Sequence, residues 1–179
     1  MPSRRAVLAG AMLALAAVPP LGARAHTPYR QWVVYRQKHL LVGAHRGDAR
    51  TYALAQGIVA AMADELPDAR ARVARGPRPQ RIASLMGTGQ LTLAVLVADE
   101  AERMASGTAP FDGHRPVPLH DLAWLGDDYG LYATPELRTD HAWLVAQAMD
   151  HSGIGRRPAE GALPPHPGAL AFWSGEAMP

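Results

Sequence analysis

The chain has 179 residues, with 18 Lys and Arg against 16 Asp and Glu, 8 His and no cysteine. The absence of cysteine excludes disulfides, thiolate metal sites and cysteine nucleophiles. Three of the 18 basic residues lie within residues 1–25, which leaves 15 basic against 16 acidic residues in the rest of the chain, so the charge gives no support for nucleic-acid binding.

Residues 1–25, MPSRRAVLAGAMLALAAVPPLGARA, have the pattern of an export signal. The pair Arg4 and Arg5 precedes an apolar run and is typical of twin-arginine signals, which carry folded proteins. An ordinary secretory signal is the alternative. The apolar run, residues 6–18, is shorter than the roughly 20 residues of a bilayer span. We therefore expect cleavage after Ala25, a periplasmic location and no stable membrane span.

The next part of the chain alternates between predicted strands and predicted helices. Leu54, Ile58 and Met62 recur at helical spacing, whereas residues 91–97 are apolar throughout, as in the centre of a parallel sheet. This alternation is typical of βαβ units. The predicted strands are residues 39–43, 69–75 and 91–97, and the predicted helices are residues 52–66, 80–86 and 98–106.

The second half of the chain adds two strands, LAWLG and YGLYAT, and a helix over HAWLVAQAMDHS that Thr139 or Asp140 caps and Gly153 ends. We expect an α/β domain over residues 26–153, with a mostly parallel sheet and flanking helices. Residues 154–165 are a predicted linker rich in Gly, Pro and Arg. Residues 166–179 are expected to form a C-terminal helix that packs back on the domain.

Four segments resemble the solute receptors of TAXI-type TRAP transporters, which have a periplasmic-binding-protein fold. The similar segments are VGAHRGDARTYALAQGIVAA, TGQLTLAVLVADEA, GTAPFDGHRPVPLHDLAWLG and LPPHPGALAFW. The resemblance implies a transport-related protein that binds a solute. Such receptors have two lobes, whereas here YGLYATPE is followed almost at once by a helix and the C-terminal segment. We therefore expect a single-lobe, periplasmic-binding-protein-like domain without a cleft between lobes.

The polar loop after the first predicted strand is the expected ligand site, since ligands bind beyond the carboxyl ends of strands in open α/β sheets. It contains His45, Arg46, Asp48, Arg50, Thr51 and Tyr52. Arg46 or Arg50 is suited to pair with a carboxylate, and the helix N-terminus near Thr51 favours an anion. The alternative is a solvated loop in which Thr51 caps the helix and Tyr52 packs against the domain.

Asp99 is the further candidate for ligand binding, because it follows the central strand. The alternative role for Asp99 is to cap the next helix. We expect Glu100 and Glu102 to lie on a solvated helix face.

Cleavage after Ala25 would make His26 the first residue, with a free amine beside its imidazole. Nitrogen ligands of this kind suit Cu(II), so a copper site at His26 is an alternative function. Copper is the only cofactor that the sequence suggests. His166 lies in the family-like C-terminal segment, where we expect a structural hydrogen bond.

The sequence contains no Gly-x-Ser-x-Gly motif, phosphate-binding loop, HExxH motif or pair of catalytic carboxylates. We therefore expect a non-enzymatic protein that binds a small, anionic molecule in the periplasm. The alternatives are the copper-binding protein and an adaptor that docks on an exported enzyme or a transporter. The expected partners are a small-molecule ligand or a periplasmic protein, and not nucleic acid.

Overall fold

The structure, a computed structural model, describes residues 35–158 and 161–179. The predicted export signal and His26 lie outside the described residues. The cleavage site and the proposed copper ligand therefore stay predictions from the sequence.

The strands and helices follow the predicted order. The strands are β1 (Leu41–His45), β2 (Arg72–Gly76), β3 (Leu93–Val97), β4 (His120–Gly126) and β5 (Tyr129–Ala133); the helices are α1 (Ala49–Glu65), α2 (Pro79–Gly87), α3 (Ala98–Ser106), α4 (Thr139–His151) and α5 (Pro167–Trp173), with a 3-10 turn at Pro67–Ala69.

The five strands form one mixed sheet in the order β2-β1-β3-β5-β4. β1 pairs in parallel with both β2 and β3, whereas β5 is antiparallel to both β3 and β4. Four strands therefore run in one direction and β5 runs in the other. The predicted α/β class, with a mostly parallel sheet and flanking helices, is confirmed for a single-lobe domain.

Helices cover both faces of the sheet because the central strands are apolar on both faces. On one face, α1, α4 and α5 contribute side chains such as Ile58, Met149 and Ala169 to one core cluster. On the other face, α2 and α3 contribute side chains such as Ile82 and Met104 to a second cluster. Burial on both faces explains why β3 reads as a continuous apolar run.

The predicted linker is partly built into the sheet. Trp124 in β4 exchanges two main-chain hydrogen bonds of 2.9 Å with Arg156. The N–H of Asp121 donates to the carbonyl of Pro164 at 2.9 Å, and the carbonyl of Asp121 accepts from the N–H of His166 at 2.8 Å. These segments cover the outer edge of β4 and lead into α5, which packs on α4.

His166 is buried at the start of α5 and forms structural hydrogen bonds there, as the sequence suggested. Its Nδ1 accepts from the N–H of Gly168 at 3.2 Å, and its Nε2 donates to the carbonyl of Leu137 at 3.1 Å. Among the helices that the structure describes, none is both long and apolar enough to cross a membrane.

Candidate functional site

The carboxyl ends of β1, β2 and β3 meet at one edge of the sheet, which we call the carboxyl edge. Chain order brings β2 to one side of β1 and β3 to the other, so the strand order reverses between β1 and β3. Ligands of open α/β sheets bind at such a reversal. His45 ends β1, Gly76 ends β2 and Val97 ends β3, so the residues that follow these three positions form the candidate site.

His45 is the last residue of β1 and is only 2% exposed. Its Nε2 donates to Oε2 of Glu100 at 3.2 Å, while its Nδ1 is buried and has no hydrogen-bond partner among the described residues. The side chain of Glu100 is 25% exposed and bonds to the buried His45, so it is only partly solvated, whereas Glu102 is exposed as expected. The pair forms because the first turn of α3 begins at the same edge where β1 ends.

Glycine at position 47 lets the turn after His45 lie close to the imidazole. A Cβ at Gly47 would lie 3.0 Å from Nδ1 of His45. The chain therefore turns directly over the imidazole ring, and His45 is enclosed by the loop rather than presented to solvent.

Thr51 is fully buried and connects this loop to α1. Its hydroxyl donates to the carbonyl of Asp48 at 2.8 Å, lies 3.1 Å from the carbonyl of His45, and accepts from the N–H of His45 at 3.4 Å. The residue that caps α1 is Asp48, whose carboxylate accepts from the N–H of Arg50 at 2.8 Å. Thr51 therefore fixes the position of His45.

We expect Thr51→Val to lower the free energy of unfolding by about 1–2 kcal/mol. Valine has nearly the same volume as threonine but lacks the hydroxyl that forms hydrogen bonds with the main chain of His45 and Asp48. Chemical denaturation checks this value. The matched control is Thr88→Val, where the hydroxyl is exposed and donates to the carbonyl of Ser84; a change within about 0.5 kcal/mol is expected there. Equal losses in both variants would contradict the role assigned to Thr51.

Asp48 also connects the loop to β5. Its Oδ2 accepts from the hydroxyl of Tyr129 at 2.6 Å. Burial raises the pKa of Asp48, but the hydrogen bonds from Tyr129 and from the Arg50 N–H outweigh it and hold the pKa below its usual value. The same hydrogen bond raises the pKa of Tyr129. Asp48 is therefore a carboxylate that already occupies the N-terminus of α1, where the sequence suggested a place for an anionic ligand.

Arg50 and Tyr52 have internal partners. The guanidinium of Arg50 pairs with Asp127 and lies 4.9 Å from the centre of the Tyr129 ring. Tyr52 packs against the core, and the guanidinium of Arg75 lies 4.2 Å from the centre of its ring. Tyr52 thus packs against the domain, as the alternative interpretation predicted. The positive charge of Arg50 is balanced by the carboxylate of Asp127.

Arg46 differs from Arg50 because its exposed side chain has no partner among residues 35–158 and 161–179. Its N–H donates to the carbonyl of Gly76 at 2.9 Å, which places the loop after β1 against the segment after β2. Arg78 follows in that segment and is also exposed and without an ion pair in the described chain. Two uncompensated guanidinium groups therefore follow neighbouring strands at the carboxyl edge.

Asp99 is not joined to this group by any described hydrogen bond. It is exposed, lies in the first turn of α3 and accepts from Nε of Arg103 at 2.8 Å. No side chain caps α3, since its cap residue is Val97. The capping role considered for Asp99 is therefore replaced by an ion pair along the helix.

Three residues of the site were missed from the sequence: Glu100, Tyr129 and Arg78. Glu100 and Arg78 closely follow predicted parallel strands. Because the carboxyl ends of such strands meet at one edge of the sheet, both residues could have been predicted there. Tyr129 reaches Asp48 across 81 positions of sequence, and the local pattern carries no signal of that contact.

In the described chain, the edge offers the guanidinium groups of Arg46 and Arg78 without ion-pair partners, beside acids that accept hydrogen bonds from other residues of the domain. Such a surface can hold an anion by charge-assisted hydrogen bonds. Among the described residues, no group of three or more His, Asp or Glu side chains is arranged to hold a metal ion. Comparison with protein-family models and with functionally characterised proteins finds no match for this chain.

Proposed function

We propose that this protein binds a small anionic molecule at the carboxyl edge of the sheet, as a non-enzymatic solute-binding or accessory protein. The observation that carries the proposal is the pair Arg46 and Arg78, which follow neighbouring strands and lack acidic partners in the described chain. A carboxylate or phosphate would supply the missing charge and accept two guanidinium donors.

The surrounding residues support a pre-formed site rather than one that folds around its ligand. Thr51 fixes His45, Asp48 holds Tyr129, and Gly47 lets the loop lie close to the imidazole. A loop held in this way loses little conformational entropy on binding. The resemblance of residues 42–126 to TRAP solute receptors and the export pattern of residues 1–25 support a periplasmic location for this activity.

The test compares Arg46→Ala and Arg78→Ala with the unchanged protein, with succinate, citrate and inorganic phosphate as probes. We expect each substitution to weaken binding of the preferred probe by about tenfold or more, since a charge-assisted hydrogen bond contributes about 1.5–3 kcal/mol. Calorimetric titration measures the affinity. Each exposed substitution is expected to change the free energy of unfolding by less than about 0.5 kcal/mol.

The matched control is Arg157→Ala. Arg157 is exposed and forms no ion pair in the described chain, and it lies beside β4, at the opposite side of the sheet from β2. Affinity should be unchanged in this variant. Arg50→Ala should affect binding less than Arg46→Ala, because Arg50 already pairs with Asp127. If Arg157→Ala weakens binding as much as Arg46→Ala, the anion is attracted by net charge and not held at this edge.

A further inference from the structure

Among residues 35–158 and 161–179, no strand lies beside the outer side of β2, which is an edge of the sheet. The N–H of Arg72 donates to the carbonyl of Leu40, and the carbonyl of Gly76 accepts from the N–H of Arg46, both at 2.9 Å. The main-chain N–H and C=O groups of alternate β2 residues therefore point towards β1. Those of Val73 and Arg75 point the other way, away from the sheet. No described residue bonds to those outward groups. The opposite edge, at β4, is covered by residues 156 and 164–166.

Five arginines lie along and just beyond this edge: Arg70, Arg72, Arg75, Arg78 and Arg81. None of them forms an ion pair in the part of the chain that the structure describes. No acidic residue occurs in the sequence between Asp68 and Asp99. Within the described part of the chain, the edge therefore combines main-chain groups that have no hydrogen-bond partner with arginines that have no ion-pair partner.

Arg72 and Arg75 lie on opposite faces of the sheet, because side chains alternate along a strand. Arg72 shares its face with Ala74, which packs against the α2 and α3 core, and donates to the carbonyl of Ala71 at 2.9 Å. Arg75 is on the α1 face, where its guanidinium lies 4.2 Å from the centre of the Tyr52 ring. A chain that lay along β2 would have one guanidinium on each side of it.

The charge of the edge decides what can occupy it. A second copy of this edge would bring arginines against arginines, and like charges opposite each other destabilise a strand pair. Residues 26–34 of the same chain, HTPYRQWVV, contain Arg30 and no acid. The complementary occupant is an extended segment rich in Asp or Glu.

We propose that the β2 edge binds an extended acidic segment of a partner protein by strand addition. The main-chain groups of Val73 and Arg75 form the hydrogen bonds between β2 and the added strand. The side chains of Arg72 and Arg75 pair with carboxylates on opposite faces of that strand. Because Arg72 and Arg75 are three positions apart, the two carboxylates of the segment are an odd number of positions apart as well. The anion site proposed at Arg46 and Arg78 lies beyond the strand ends. Arg78 borders both surfaces, whereas Arg72 and Arg75 belong only to the β2 edge.

The probe is a short capped peptide of threonine and valine that carries two glutamates three positions apart, labelled for fluorescence anisotropy and added to the full chain. Binding should weaken as salt rises. In amide hydrogen exchange, the peptide should increase the protection of the Val73 and Arg75 amides, which face outward in the free protein. Binding without added protection at these two amides, or no binding at all, would overturn the proposal.

Two variants separate strand addition from simple charge attraction. Arg72→Glu with Arg75→Glu should weaken binding of the acidic peptide by about tenfold or more and should bind a peptide with lysines in place of the glutamates. Val73→Pro should have a similar effect on the acidic peptide, because it removes an outward N–H and leaves the bonds to β1 in place. The control, Arg115→Glu with Arg157→Glu, makes the same change of charge at exposed arginines elsewhere. A loss in the control equal to that at β2 would show that net charge alone attracts the peptide.

Discussion

Replacing Gly168 by alanine is expected to lower the free energy of unfolding by about 3 kcal/mol or more. A Cβ at this position would lie 2.0 Å from the carbonyl oxygen of Thr139 and 3.0 Å from the nitrogen of Trp143. Both are main-chain atoms of α4, so no side-chain rotation can relieve the overlap and α5 would have to move away. Overpacking of this kind costs about 1–3 kcal/mol, and more where backbone must shift. Chemical denaturation measures the loss.

The control for Gly168 is a helical glycine with space around it. A Cβ at Gly57 in α1 would meet only Cδ1 of Ile154, at 3.8 Å. Gly57→Ala is therefore expected to raise the free energy of unfolding by about 0.5–1 kcal/mol, since alanine restricts the unfolded chain. A loss in both variants, or in neither, would mean that the α4–α5 contact is not what makes glycine necessary at position 168.

The second large effect is a dependence of stability on pH at Asp121. Burial raises the pKa of this carboxyl to about 6, although a hydrogen bond from the N–H of Leu122 partly opposes the shift. One carboxyl oxygen, Oδ1, is buried and has no hydrogen-bond partner in the part of the chain that the structure describes. The folded protein therefore binds a proton more tightly than the unfolded chain does. The stabilisation is fully present below the ordinary pKa of 3.8 and is lost as the pH rises through about 6.

Asp121→Asn should remove this dependence, because the amide is neutral at every pH. The difference in free energy of unfolding between the two proteins should shift in favour of the variant by about 2–3 kcal/mol between pH 4 and pH 8. His166 titrates in both proteins, so its effect cancels in the difference; its pKa is lowered, chiefly by burial. Asp150→Asn on the exposed face of α4 removes the same charge and serves as control. A constant difference for Asp121→Asn across this range would contradict the assignment.

Local pattern was enough to predict most of the elements, and it failed where distant segments decide the structure. Leu54, Ile58 and Met62 lie along the inner side of α1, and Pro67 follows its end, as the spacing predicted. β1, in contrast, extends to His45, two residues past its predicted end. Pairing with β2 sets that end, because the main chain of Arg46 still bonds to Gly76.

The same limit applies to strand direction and to the site. Nothing in the apolar pattern of YGLYAT reveals that β5 runs antiparallel to β3. The pairing of His45 with Glu100 joins positions 55 apart in the sequence. Loop residues were correctly placed near the strand ends. Only the folded geometry separates Arg46, which has no acidic partner among the described residues, from Arg50, which pairs with Asp127.

The covered edge of β4 has a consequence for the order of folding during synthesis. β1, β2 and β3 with α1, α2 and α3 are contributed by residues 41–106, so these elements are synthesised before the rest of the domain. The outer main-chain groups of Asp121 and Trp124, and the face of α4 that α5 covers, have their partners in residues 156–173, which are synthesised later. While the chain is still growing, this side of the domain is an exposed strand and an exposed apolar helix face. A chaperone that acts on the nascent chain would therefore be expected to bind there.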